Sequence, residues 1–520
     1  MSMKLPKGRP PIERVIYIGI AFLVQIIWYL SVFTEIVKYS PYIEWIFTLS
    51  SILMILYLIL KDESPAYRLS WIIIIALMPL FGGVLYLSLG NKRPTQGLRK
   101  QIESQRPALD QAKDLVPDVT DQLAAQDCRL AGLSQYINDT ADAPLYKNSH
   151  LNYFKNGESV MDQLLTDLRS AKKNIFIEFF IVEYGQMFDQ IYEILKAKAA
   201  EGLDVRFIYD DFGSITRLPD NFVDLLAADG IKALKFNPVR LLVSMVYNTR
   251  DHRKFIIIDD EIGYTGGINL ADEYINVVER FGYWKDTVIR VQGQAVWSYT
   301  SLFLAMWNAF KGEEDSYLAF APKDLLETKA GSSLASESAT HFIQPYGDDP
   351  LDSNPVGENT YRQILNLAVD YVYIYTPYLV ISYEMQQALV NAVQRGVDVR
   401  LMTPGIPDKK VVFRMTRSFY RPLLEAGVRI FEYSPGFLHA KSFVSDDKVA
   451  VVGTINLDYR SLYLHFETGT IMYFHPEIKA IRSDFEESQA ISREVFITDV
   501  RPSFFGAMWD AILRIIAPFV

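Results

Sequence analysis

Three long apolar runs dominate the start of the chain: Val15 to Phe33, Trp45 to Leu60 and Trp71 to Leu89. A helix that spans a bilayer needs roughly 20 apolar residues. The first and third runs meet that length. The second is shorter, and Pro41 to Glu44 extends it toward the interface. Trp28, Tyr29, Trp45, Trp71 and Tyr86 fall toward run ends, where amphipathic rings favour the headgroup layer. Pro79 and Gly82-Gly83 interrupt the third run, which predicts a kink or a re-entrant shape. The first run is too long for a cleaved signal peptide, and no small-residue cleavage site follows it. Residues 1–93 therefore read as a membrane anchor with two or three transmembrane helices. Lys4, Lys7, Arg9 and Arg14 favour a cytoplasmic N-terminus, and Lys92, Arg93, Arg99 and Lys100 favour a cytoplasmic body. Two spans satisfy both preferences and three do not.

Beyond the anchor the pattern changes. Residues 94–143 are polar and helix-permissive, and read as a linker. The pattern then alternates between short apolar strands and helical segments. NIFIEFFIV (Asn174 to Val182) is a buried-strand run, followed by a helical stretch through Gln190 to Glu201, then Gly202 and the strand DVRFIYD. The same order returns later: YVYIYTPYLV (Tyr371 to Val380), a helix through Val390 to Gln394, Arg395-Gly396, and DVRLMTP. Alternating strands and helices predict an α/β fold with a parallel or mixed sheet. Two similar α-β-α sandwich halves, 144–330 and 331–500, predict pseudo-twofold packing and one site built from both. At the C-terminus, residues 501–520, Phe505, Trp509, Ile512 and Ile516 recur at helical spacing. This predicts an amphipathic helix, lying on a membrane or docked on the body.

Charge sharpens the division. Up to Arg93 there are nine Lys+Arg against five Asp+Glu, a net of +4; the remainder carries 43 against 57, a net of −14. An acidic body argues against nonspecific nucleic-acid binding, which needs a basic footprint. It leaves room for an anion held in a locally basic pocket. The single cysteine, Cys128, excludes an intramolecular disulfide and a multi-cysteine zinc site.

The candidate chemistry is a motif present twice. HRKFIIIDDEIGYTGGIN begins at His252, and HAKSFVSDDKVAVVGTIN begins at His439, 187 residues later. Both read His-x-Lys, Asp five residues after the Lys, Gly seven residues on, and Asn three residues beyond it. His252 and Lys254 project from the same face of a strand, as do His439 and Lys441. Asp259 and Asp446 fall at an odd offset at a strand end, where Asp is a common turn residue, and read as mainly structural. Gly266 and Gly453 allow close backbone approach, bringing the Asn269 and Asn456 amides to the same place. Two His, two Lys and two Asn facing one another suit a tetrahedral phosphate. One His attacks phosphorus while the other protonates the leaving alcohol. A metal site fits poorly, because a Lys beside each His repels a cation.

These motifs resemble those of the phospholipase D superfamily, whose members carry two His-x-Lys-x4-Asp motifs, and within it the chain is similar to the bacterial cardiolipin synthases. GGINLADEY, YWKDT (Tyr283 to Thr287), TPYLV, YRPLLEAGVRIFEY, GTINLDYRS with HFE, and the apolar PLFGGVLYLSLG carry the likeness. The resemblance implies a phosphatidyltransferase of the bacterial cytoplasmic membrane, multi-pass, working without a metal or nucleotide. Two phosphatidylglycerol molecules would give cardiolipin and glycerol through a phosphohistidine intermediate. The implied catalytic set is His252, Lys254, Asp259, His439, Lys441 and Asp446, with Asn269 and Asn456 binding phosphate. By the same analogy His252 is the nucleophile and His439 the acid and base, although pseudo-symmetry allows the exchange. Asp286 in WKDT and Glu467 in HFE resemble acids that orient a catalytic His. The expected pairs are Asp286 with His439 and Glu467 with His252, each across to the opposite half; the alternative is two surface acids. Lys410, Arg414, Arg417 and Arg421 line one helix face, to read anionic lipid or simply to meet solvent. Water as acceptor would give a phospholipase D forming phosphatidic acid. A nuclease is disfavoured by the anchor and the acidic body, and a non-catalytic membrane scaffold by the intact motifs.

Overall fold

The computed structural model describes residues 41–61, 63–90, 96–147, 149–239, 249–312, 315–329, 340–352 and 354–519, together with Leu23. The first apolar run therefore lies outside the described residues, apart from Leu23.

Each half is built on a mixed sheet. The first has seven strands, in the spatial order His150–Phe154, Val288–Gln292, Ile262–Gly266, Phe255–Ile258, Asn174–Phe179, Asp204–Asp210 and Lys232–Phe236. Asn174–Phe179, Asp204–Asp210 and Lys232–Phe236 run parallel, because helices Gln186–Ala200 and Phe222–Ala228 carry the chain back between them. The strands holding the first motif join antiparallel to Asn174–Phe179. The second half repeats this plan: Tyr371–Tyr375, Asp398–Pro404 and Arg429–Tyr433 run parallel, and Ser442–Ser445 and Val449–Gly453 add antiparallel. Its sheet has ten strands, one of which is Arg250–Asp251 from the first half.

That exchange is reciprocal. Arg250–Asp251 pairs with His465–Phe466, and Gly436–Leu438 pairs in parallel with Tyr283–Lys285. Each motif is thus led in by a strand hydrogen-bonded to the other half. The apolar core is continuous across this joint. Trp297, Phe303 and Trp307 of the first half lie in one cluster with Tyr375, Met472 and Phe485 of the second. Burying one such ring contributes about 1.5–3 kcal/mol.

The segment read as a linker is largely helical over its described residues, 96–143. Gln96–Glu103, Arg106–Lys113, Thr120–Ala124 and Cys128–Ala141 are helices. Ala112 and Leu115 join the core between the halves, and Leu123, Leu133 and Ile137 join the core of the second half. Only one face of each short helix is apolar, so the polar composition concealed the packing.

Of the membrane-like runs, the second forms helix Pro41–Leu60. The third is broken at Met78 into helices Pro65–Leu77 and Pro79–Leu85, followed by a π-helical turn, Tyr86–Gly90. Pro79 starts the new helix, and the chain folds back so tightly that a Cβ on Gly82 would lie 2.8 Å from the Ile74 carbonyl oxygen. The third run is therefore two short helices folded back on each other rather than one straight helix. Among the described residues no helix is long and apolar enough to cross a membrane. The C-terminal helix Phe504–Ile516 docks beside Lys410–Ala426, and Phe519 packs edge-on against Tyr67 and Trp71 of the hairpin.

Candidate active site

The reciprocal strand pairs deliver the two histidines. The His252 main-chain N–H donates to the Phe466 carbonyl at 2.9 Å, and that of His439 to the Lys285 carbonyl at 2.7 Å. Strand alternation then places Glu467 and Asp286, each one residue beyond those carbonyls, against the imidazoles. His252 Nδ1 lies 2.8 and 3.0 Å from the two Glu467 oxygens, and His439 Nδ1 lies 2.7 Å from Asp286 Oδ2. An ionised carboxylate only accepts, so each Nδ1 carries the hydrogen and each Nε2 presents a lone pair. Thr454 donates its hydroxyl to Glu467, and the Thr287 N–H donates to Asp286 at 2.8 Å. Gly453 and Gly266 let the motif backbone pass against these acid-bearing strands: a Cβ on either would lie 2.3 or 2.2 Å from the carbonyl of Thr468 or Thr287.

Both lysines are buried and fold back on their motif. Lys254 Nζ donates to the His252 carbonyl at 2.6 Å, and Lys441 Nζ donates to that of His439. Lys441 Nζ also lies 2.8 Å from His439 Nδ1. Burial depresses both ammonium groups, Lys254 to about 8 and Lys441 to about 7. Burial, then Lys441, pushes His439 down to about 4 against the opposing pull of Asp286. Burial and the charges of Lys254, Lys441 and His439 hold His252 well below its usual value. Burial raises Asp286, but His439 and Lys441 outweigh it and leave the carboxyl below its ordinary value. The site thus places neutral imidazoles beside buried cations, an arrangement suited to an anion.

The two asparagines are buried. Asn269 Oδ1 accepts the Ile181 N–H at 3.0 Å, and its amide donates to the Tyr274 hydroxyl at 2.7 Å, leaving a second amide hydrogen. Asn456 Oδ1 has no hydrogen-bond partner among the described residues. Asp259 and Asp446 stay out of the pocket. Each has left-handed backbone, φ 53° and 55°, at its hairpin turn. Asp259 accepts the N–H groups of Lys172, Lys173 and Asn174, and Asp446 those of Val369, Asp370 and Tyr371. Their carboxylates clamp the turn to the start of a neighbouring strand.

One site residue escaped the sequence reading: His465. It is buried, neither ring nitrogen makes a hydrogen bond among the described residues, its Nδ1 lies 3.8 Å from Glu467 Oε1, and its ring lies 5.5 Å from that of His252. The equivalent position, two residues before the other acid, is Trp284, whose ring lies 5.5 Å from His439. The signal was present in HFE, since a residue two before Glu467 shares its strand face. The halves therefore differ: a polar ring flanks His252, and Trp284, Tyr274 and Phe437 surround His439. His252, His465 and Glu467 bring three donor atoms within 4.8 Å of one another. Lys254 and Lys441 beside them oppose a bound cation, so the donor set fits a metal poorly. A cavity of about 170 Å³ lies on the other face of these strands, lined by Arg253 and Phe466 and by none of the motif lysines or histidines.

Comparison with known proteins gives the same two halves. The family model for the cardiolipin synthase, phospholipase D-like domain matches residues 164–303 and 361–488. That for the phospholipase D-nuclease N-terminal region matches 45–91. An uncharacterised protein of Streptococcus mutans is 39% identical over 467 residues, covering 90% of this chain and 99% of its own length. A cardiolipin synthase of Geobacillus kaustophilus is 31% identical over 91% of this chain and 92% of its own, and one of Alkalihalophilus pseudofirmus 30% identical over 91% and 93%. Among solved structures, phosphatidylserine synthase of Haemophilus influenzae superposes with a TM-score of 0.57 at 15% identity, over 75% of this chain and 98% of that one, a likeness of fold.

Proposed function

We propose that this chain, which belongs to the phospholipase D-like cardiolipin synthase family and is a phosphatidyltransferase, joins two phosphatidylglycerol molecules into cardiolipin and releases glycerol. The observation that carries this reading is the pair of histidines, each fixed at Nδ1 by an acid of the opposite half, with Nε2 left open. A phosphodiester enters between them, its oxygens met by Lys254, Lys441, Asn269 and Asn456. Its negative charge offsets the two lysines, which raises the proton affinity of the nearby imidazoles. His439 then holds a proton on Nε2. His252 Nε2 attacks phosphorus, the bond to the headgroup glycerol breaks, and His439 protonates the departing oxygen. The phosphatidyl group now rests on His252. The hydroxyl of a second phosphatidylglycerol gives its proton to His439, its oxygen attacks phosphorus, and the bond to His252 breaks. Glu467 and Asp286 hold the tautomers and stabilise the imidazolium forms. Residues 1–93, the first apolar run included, hold the enzyme in the bacterial cytoplasmic membrane as an integral, multi-pass anchor.

Incubating the purified protein with phosphatidylglycerol and separating the lipids tests this directly. Cardiolipin with free glycerol is the expected product. Phosphatidic acid in its place would show water as the acceptor, and unchanged substrate would mark a scaffold without catalysis.

A further inference from the structure

The basic helix Lys410–Ala426 does not keep its arginines for a ligand. Arg414 pairs with Asp510 at 2.8 Å and donates to the Gly506 carbonyl at 3.2 Å. Arg417 pairs with Glu432 at 3.3 Å and donates to the Asp499 carbonyl at 3.3 Å. In return Arg514 donates to the Ser418 carbonyl. These contacts hold the C-terminal helix Phe504–Ile516 against the second half in one rotational setting. The setting turns the helix's apolar side outward: Phe504 is 75% exposed, Phe505 78% and Trp509 48%, with Met508 and Ile512 also exposed. A helix docked for core packing would hide these residues; only Leu513 is buried.

The outward face continues into the membrane-like region. The chain beyond the helix seats Phe519 on Tyr67 and Trp71 of the helical hairpin, with ring centroids 5.5 and 4.8 Å apart. Leu69 and Leu77 of that hairpin, and Leu53, Leu56 and Leu60 of the preceding helix, are likewise exposed. Arg501 is exposed just before the helix, and Lys409 and Arg421 of the basic segment, each also ion-paired with an acid (Asp408 and Glu425), are exposed as well. Aromatic and aliphatic side chains on one face with cations beside them suit the headgroup–acyl boundary of an anionic bilayer. The Arg460 guanidinium, close after the second motif, donates to the Phe519 carbonyl at 3.2 Å, so the same segment is tied to the catalytic half.

We propose that the C-terminal helix is an interfacial lipid-binding element that lies in the surface of a phosphatidylglycerol-containing bilayer. Together with the hairpin it fixes how the catalytic body sits on its substrate surface. This goes beyond the reaction itself, which needs neither Phe505 nor Trp509.

The single native cysteine makes the test simple. In a Cys128→Ser background, Phe505→Cys carries an environment-sensitive fluorophore, and Glu201→Cys, exposed on the first half, serves as the control. The full chain is reconstituted into phosphatidylglycerol vesicles containing nitroxide-labelled lipid. Quenching at position 505 and none at 201 is expected. Equal, weak quenching at both positions overturns the proposal. A blue-shifted probe at 505 that nitroxide lipid does not quench also overturns it, because a second copy of the chain then covers the face. Separately, the Phe505→Ser/Trp509→Ser variant should lose roughly tenfold or more of its rate on vesicles and keep its rate on detergent-dispersed phosphatidylglycerol. Equal loss in both assays would assign the face to folding and overturn the proposal. Absence of cardiolipin from the wild type in detergent would fail the catalytic reading alone, since lipid quenching is read without turnover.

Discussion

At the scale of single residues, the site rests on matched histidine–acid contacts whose consequences are separable. Glu467→Gln keeps the size of the side chain and removes the charge that fixes the His252 tautomer. The expected result is a kcat lower by roughly 10²- to 10⁴-fold with KM little changed, measured by steady-state cardiolipin formation. The pH dependence follows from the depressed groups. His252, the nucleophile, is held well below the usual histidine value and must be free of its second proton to attack, so activity rises with pH through an acid limb below the ordinary imidazole range. Lys441, near 7, and Lys254, near 8, must keep theirs to hold phosphate, so activity falls on an alkaline limb between about 7 and 8. A kcat/KM profile of the free enzyme checks both limbs. Asp259 behaves differently. Asp259→Ala strips a charged acceptor from three main-chain N–H groups and should cost about 2 kcal/mol of stability, read as a fall in Tm, with kcat retained in the folded fraction. The His-x-Lys pairs were legible because a residue-type pattern written twice is visible without a fold. His465 was not, because its importance lies in an imidazole whose ring is 5.5 Å away and belongs to the other half.

At the scale of elements, periodicity read the βαβ order of both halves and the C-terminal helix, and missed the helices of 94–143. Their apolar positions are sparse, and each short helix is stable only through the cores it covers. The third membrane-like run shows the opposite case. Its apolar count suggested a span, while Pro79 and Gly82, the residues that break it, sit where the chain reverses. The basic helix was read as facing lipid or solvent; Arg414 and Arg417 clasp the C-terminal segment, while Arg421 stays exposed beside Glu425. Replacing Arg414 and Arg514 together by alanine should free that helix, and limited proteolysis of the detergent-purified protein should then cut near 501–504 markedly faster than in the wild type.

At the scale of the whole molecule, the two halves are held together by more than apolar contact. Lys285, beside Asp286, reaches across to Asp484 of the second half, with Nζ 2.7 and 2.9 Å from its two oxygens, and both side chains are buried. Removing one partner strands a buried charge, so Lys285→Ala should lower stability by about 3–5 kcal/mol. The loss would appear as a lower denaturation midpoint of the purified protein. The sequence by itself determined the duplication, the α/β order, the motif residues and the membrane-like ends, since each is a periodicity or a repeated spacing carried along the chain. Only the tertiary structure decided that strands cross between the halves, that His465 stands beside His252, and which face of the last helix is left outward. Those depend on contacts between residues as far apart as His252 and His465, which burial and hydrogen-bond geometry select and no local pattern encodes.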